Sequence, residues 1–277
     1  MDKVEEFELV IEHGTSNKKY WRDLWSYREL FTFLAWRDLL VRYKQTVIGI
    51  VWSVIRPVLT MMVFTMIFGK LAKLPAGNVP YPILIFAAML PWQLFSSSLS
   101  DISNSLLANS GMISKIYFPR LIIPTSTMIV CLVDFLISFI ILIILMIYYN
   151  FVPDWRIITL PVLLLLSLAA ALGPGLWLAA LNVKYRDFKY IVPFIIQIGF
   201  YISPVGFSSN VIPQNLRLFY SINPMVGVID GFRWAILGGQ AQIYWPGFLL
   251  SLLLITLILW GGIQFFRKTE RNFADII

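Results

Sequence analysis

Six apolar runs, at about 47–68, 82–100, 121–149, 157–182, 190–207 and 245–266, alternate with shorter polar segments along the chain. A helix needs about 20 apolar residues to cross the hydrocarbon core of a bilayer, and each run is near that length or longer. No water is present there to satisfy backbone N–H and C=O groups, so a lone crossing segment has to be helical. The pattern predicts an all-α, polytopic membrane protein with six transmembrane helices. The third run is long enough to tilt or to project beyond the bilayer. The fifth is short and flanked by prolines.

Two stretches depart from this alternation. The first is "SYRELFTFLAWRDLLVRYKQT", just before the first run. Ser26 and Glu29 have the spacing of a capping box, which predicts a helix starting at Tyr27. Tyr27, Leu30, Phe31, Leu34 and Val41 share one stripe, interrupted by Asp38, with Trp36 and Tyr43 to the side among Arg37, Arg42 and Lys44. Aromatic and basic residues around an apolar stripe suit a helix lying in the membrane interface, over residues 26–46, or one packed on a partner. The second stretch is 204–243, largely apolar but broken by Pro204, Pro213 and Pro224. Within it, "NPMVGVIDGFRWAILGG" has Asn223 as N-cap, Pro224 at the first helical position and Gly238–Gly239 as the stop. That helix is too short to cross and carries Asp230 and Arg233, so a re-entrant pair of half-helices is expected.

Composition sharpens the class. Of 277 residues, 58% are hydrophobic and only 13% charged, with a mean hydropathy of +0.77. A soluble domain carries about 25% charged residues. One cysteine, Cys131, and one histidine, His13, leave no disulfide framework and no Cys/His metal cluster. Residues 1–25 form an acidic leader without the basic and apolar regions of a cleavable signal peptide. The net charge of +7 does not point to nucleic acid, because the charges flank the apolar runs. Sixteen of the 22 Lys and Arg residues fall in 1–46, 101–120, 183–189 and 267–277, and five in the alternate segments. The positive-inside rule therefore predicts a cytoplasmic N-terminal segment, a cytoplasmic tail over 267–277 and a transmembrane domain over 47–266.

The candidate chemistry is sparse. There is no G-x-x-x-x-G-K-[ST], no G-x-S-x-G and no carboxylate pair in a polar setting. The intramembrane ionisable residues are Arg56 and Asp134, about 14 and 20 Å from the inner ends of their runs at 1.5 Å per residue. Such residues are functional candidates, and these two are expected to neutralise each other. Most tryptophans mark the interfaces. Trp52, Phe200 and Tyr201 instead lie within the first and fifth runs, where flat rings suit the C–H faces of sugars.

In this order and spacing, "RYKQTVIGIVWSVIRPVLTMMVFTMIFGKL" (42–71), "SKIYFPRLIIP" (114–124), "LVDFLISF" (132–139), "NVKYRDFKYIVPFIIQIGFYISPVGF" (182–207) and "NPMVGVIDGFRWAILGG" (223–239) are specific. The chain resembles the membrane-spanning permease of ABC-2 type polysaccharide exporters, most of all the O-antigen lipopolysaccharide type, with teichoic-acid and capsule exporters as relatives. The resemblance implies two copies around a channel and two separate ABC ATPase subunits that bind ATP and Mg. It implies no cofactor on this chain, and an undecaprenyl-diphosphate-linked polysaccharide as substrate in the bacterial inner membrane. Trp52, Phe200 and Tyr201, with Arg56, are then the candidate channel-lining residues, although Arg56 departs from the resemblance by standing before Pro57 where relatives carry a neutral polar residue.

The stretch "ANSGMISKIYFPR" (108–120) would lie on the cytoplasmic side, where ATPase force is received. Residues 104–116 are expected to form a short helix ended by Pro119. Leu107, Gly111, Met112, Ile113, Lys115 and Arg120 are its coupling candidates, with Met112 and Ile113 as the knobs. Lys115 and Arg120 also serve as topology anchors. Two other classes compete: an ABC-2 drug or lipid exporter, which needs less aromatic lining, and a membrane glycosyl- or acyltransferase, which needs clustered acidic or histidine residues at a membrane face.

Overall fold

In the computed structural model, which describes residues 17–44, 47–73, 79–185, 187–270 and 273, the chain is helical and contains no strand among these residues. Two amphipathic helices, α1 (Asn17–Ser26) and α2 (Arg28–Tyr43), precede the bundle. The crossing elements are α3 (Val47–Phe64, continued by a π-helical turn Thr65–Leu71), α4 (Tyr81–Ala108), α6 (Ile122–Tyr148), α7 (Leu160–Lys184) and α11 (Trp245–Thr269). All five are long and apolar enough to span a bilayer. One turn, α5 (Ser110–Ile113), joins α4 to α6.

The fifth predicted run is the exception. Its helix, α8 (Phe188–Ile202), has 15 residues, about 22 Å at 1.5 Å per residue and short of the ~30 Å hydrocarbon thickness. Pro204 sets that limit: Ser203 before it is extended, at φ −79° and ψ 151°, because proline disfavours helical geometry in the preceding residue. The following Ser203–Gly206 segment is buried. Helices α9 (Gln214–Tyr220) and α10 (Pro224–Leu237) follow. The Asn223 side chain accepts from Met225 N–H at 3.1 Å, and Gly238 ends α10 at φ +60°, a left-handed value that glycine adopts without a Cβ penalty. Helix α10 is buried along almost its whole length, against α4, α7 and α11.

Helix α4 is the most buried of the long helices and the axis of the bundle, whereas α3 is the most exposed. One buried cluster surrounds α4 through the middle and the end bearing α9 and α10. A second fills the opposite end, joining Leu34 of α2, Ile113 and Phe118 of the α4–α6 corner, Leu176 and Val183 of α7, and Phe266 of α11. Where α7 crosses α11, a Cβ on Gly173 would stand 2.8 Å from the backbone nitrogen of Leu259. Close backbone approach of this kind lets helices associate where no hydrophobic force separates them from lipid.

Two local expectations are corrected. The capping box is not formed: the Ser26 hydroxyl donates back to Asp23 C=O at 2.7 Å, and α2 starts at Arg28 without a side-chain cap. The short 104–116 helix is also not observed. No glycine or proline interrupts 101–108, so α4 continues to Ala108 and breaks at Asn109, leaving only the single turn of α5.

Candidate functional site

Helix α2 lies against α6 and brings its C-terminal basic residues onto two carboxylates of the bundle. The Arg42 guanidinium meets Asp134 of α6 at 2.8 Å and Asp101 of α4 at 3.2 Å. The Tyr43 hydroxyl donates to Asp134 in a short hydrogen bond, and the Cys131 thiol donates to Asp101 at 3.3 Å. Burial works against the Arg42 charge, but Asp134 and then Asp101 outweigh it and hold its pKa above the ordinary arginine value. Burial, then the bond to Asp134, pushes the Tyr43 phenol up. Asp134 is thus engaged by Arg42 and Tyr43 and not by Arg56, which is exposed and makes no ion pair among the described residues. The physical reason is reach. The end of α2 folds back over α6, whereas Arg56 lies on an exposed face of α3.

The same helix grips the α4–α6 corner. Arg37 pairs with Asp38 at 2.7 Å and donates to the Asn109 side-chain oxygen at 2.7 Å. That amide in turn donates to Ser105 C=O at 2.9 Å, closing α4. At the corner, Gly111 and Lys115 are exposed, Leu107 and Met112 are half-buried, and Ile113 is buried. Ile113 is therefore a core residue, and the free surface of the corner lies at Gly111 and Ser114–Tyr117. Arg120 is held inside the chain, donating to Glu270 C=O with its guanidinium 6.0 Å from the Phe273 ring centre. Tyr20 of α1 donates to the Glu270 carboxylate at 3.1 Å, and Arg267 lies 4.3 Å over the Tyr20 ring. Helices α1 and α2, the corner and the end of α11 are thereby linked into one polar-laced layer.

The three ring candidates separate. Trp52 and Tyr201 are exposed, at 57% and 69%. Phe200 is half-buried, its ring centre 5.3 Å from Phe64 and 5.9 Å from Trp92. Trp52 belongs to an exposed stripe of α3 with Ile55, Leu59 and Met62, and Tyr201 to one of α8 with Phe194 and Ile198. The sequence places Arg42 and Tyr43 beside the interface stripe without giving them a partner, and does not mark Asp101, Asn109 or Glu270. Asp101 was legible in principle: it stands among serines at the end of an apolar run, where a carboxylate needs a counter-charge.

A helical bundle with five spanning helices, a short sixth and an amphipathic pair at one end defines a multi-pass integral membrane protein. Residues 29–237 match the ABC-2 type transporter family. The chain belongs to that family, as its membrane domain. Its relatives include the O-antigen export system permease protein RfbA of Myxococcus xanthus, 28% identical over 260 residues that cover 92% of this chain and 98% of the relative. RfbA of Klebsiella pneumoniae is 27% identical over 259 residues, 90% of this chain and 95% of the relative. The polysialic acid transport protein KpsM of Escherichia coli is 24% identical over 240 residues, 84% and 91% of the two chains.

Proposed function

We propose that this chain is the permease subunit of an ATP-driven exporter that carries a lipid-linked polysaccharide of the O-antigen kind out of the cytoplasm. The observation that carries the reading is similarity to the O-antigen export permeases over about nine tenths of both chains. Two copies face each other through the exposed stripes of α3 and α8, and the polymer passes between them. Trp52 and Tyr201 offer ring faces that bind sugars loosely enough for stepwise release. The diphosphate of an undecaprenyl-diphosphate carrier meets Arg56 in transit, as a guanidinium suited to bidentate phosphate contact.

ATP and Mg are bound by two separate ATPase subunits at the cytoplasmic face of the bacterial inner membrane. There the positive-inside rule places both termini, α1, α2 and the 109–120 corner. The exposed edge of the corner, with Gly111 and Lys115 and the half-buried Met112 beside them, receives the stroke. The linkage of α2 to α4 and α6 through Arg42 carries it into the spans, because a rigid body transmits a push that a loop would absorb.

Deletion of the chain tests the proposal. Lipid-linked polymer is expected to accumulate in the cytoplasm while surface polymer disappears, with both restored by the gene in trans. Unchanged surface polymer in the deletion strain overturns it.

A further inference from the structure

At the end of the bundle opposite the Arg42 network, a cleft of about 520 Å³ opens between α9, α10 and the 238–244 segment. Its volume falls within the range of small-molecule sites, about 300–1,000 Å³. Asp230 and Arg233, three residues apart on α10, border it together with Arg217 and Tyr220 of α9 and Ser209. Arg233 is buried, at 3% exposure. It donates to Phe207 C=O at 2.7 Å and Val205 C=O at 3.1 Å, while its Nε has no partner. No carboxylate lies within ion-pair distance of it among the described residues. The Asp230 carboxylate accepts from the Ser209 hydroxyl at 2.6 Å. Burial holds its pKa above the usual carboxylate value, against the pull of Arg233. Arg217 is fixed by Ile212 C=O and Asn210 C=O, both at 3.1 Å.

A buried guanidinium whose partners are only carbonyls, beside a carboxylate with one short bond, is an incomplete polar arrangement. Buried polar groups are normally satisfied, and an orphan marks an unfilled requirement. The chemistry selects what can fill it. A phosphate would bring a second anion against Asp230, a cation would face Arg217 and Arg233, and an apolar group would leave the Arg233 Nε without a partner. A hydroxyl donates to a carboxylate and accepts from a guanidinium with the same oxygen, so a neutral polyol satisfies both signs at once. Tyr220 and Tyr244 at the walls supply aromatic surface.

We propose that this cleft is a subsite for a neutral pyranose unit of the exported polymer, held through its hydroxyls by Asp230, Arg217 and Arg233 on the outer side of the membrane. The proposal rests on the polysaccharide reading above and adds a place outside the main passage where an emerging sugar pauses. A single pause site at the exit disfavours backward slippage between strokes.

Cysteine protection in whole cells, with the ATPase partner present, tests it. Gln242 is an exposed residue of the rim, and Val152, 86% exposed at the same end of the bundle, is the control outside the cleft. The native Cys131 is buried. Labelling of Gln242→Cys by a membrane-impermeant maleimide is expected to slow several-fold during polymer synthesis. It should recover fully in a strain that cannot build the polymer, and recover when Asp230→Asn or Arg217→Gln is added. Labelling of Val152→Cys should not change. An unchanged rate at 242 while polymer reaches the surface overturns the subsite and leaves the export reading intact. Protection that persists without polymer means that a lipid headgroup fills the cleft, and overturns it as well. If no polymer depends on this chain at all, the export reading fails instead.

Discussion

Arg42→Gln removes the guanidinium that meets both Asp101 and Asp134, and its cost follows from the geometry. At 2.8 and 3.2 Å and an effective dielectric of about 20, each attraction is about 5–6 kcal/mol before desolvation. Desolvation of the three groups cancels most of that. The side chains remain 21–41% exposed, and at such exposure solvent screening brings the net worth of a pair toward about 1 kcal/mol. The substitution also leaves two carboxylates facing each other and Tyr43 as the remaining donor to Asp134, so the expected loss is about 2–3 kcal/mol. For a chain of this size that lowers the unfolding midpoint by about 4–10 °C. Midpoints should be read in one detergent at one scan rate, because unfolding of such proteins is irreversible. Adding Asp134→Asn to Arg42→Gln should recover part of the loss, with a coupling energy of about 1 kcal/mol or more. Arg56→Gln and Asp134→Asn should add independently, within about 0.5 kcal/mol. Additivity for Arg42 with Asp134, together with coupling for Arg56 with Asp134, would refute the charge network.

At the corner, Ile113→Asp should unfold the end of the bundle that joins α2, the corner, α7 and α11 by placing a charge in their buried cluster, whereas Gly111→Ala, with open space around it, should leave stability unchanged. Circular dichroism melting separates the two. Met112→Cys is expected to crosslink to the ATPase subunit in inside-out vesicles, and labelling of that cysteine from outside only would invert the topology. Trp52→Ala with Tyr201→Ala should reduce surface polymer without reducing copurification of the ATPase. Phe200→Ala should instead cost stability, by about 1–3 kcal/mol for a half-buried ring. Gly173→Ala should separate α7 from α11 and lower the midpoint, because the clash is with backbone and no rotamer relieves it.

The elements that could be read from the chain are those fixed by local chemistry or by the bilayer. Long apolar runs have no alternative to helix in lipid, so α4, α6, α7 and α11 follow from hydropathy alone. The caps of α10 follow from Asn223, Pro224 and Gly238, whose geometry depends on near neighbours. Asp134 can be flagged because a lone carboxylate in an apolar run needs a partner, but the sequence points to Arg56, whereas Arg42 and Tyr43 are the groups that hold it. That choice depends on α2 folding back across α6, a contact about 90 residues distant in sequence that hydropathy does not encode. The same holds for Asn109, which falls inside the helix expected over 104–116 but ends α4 and anchors Arg37, and for Arg120, read as an anchor and held by Glu270. Helix α8 was overestimated because Ser203–Gly206 is apolar in setting yet non-helical, and burial inside the protein replaces the lipid-driven need for helix.

The most direct test of the account is reconstitution of this chain with its ATPase subunit in inside-out proteoliposomes loaded with lipid-linked polymer on the outer surface. With ATP and Mg, polymer is expected to become resistant to an added glycosidase, in particles containing two copies of each chain. Equal protection without this chain or without ATP would contradict the assignment.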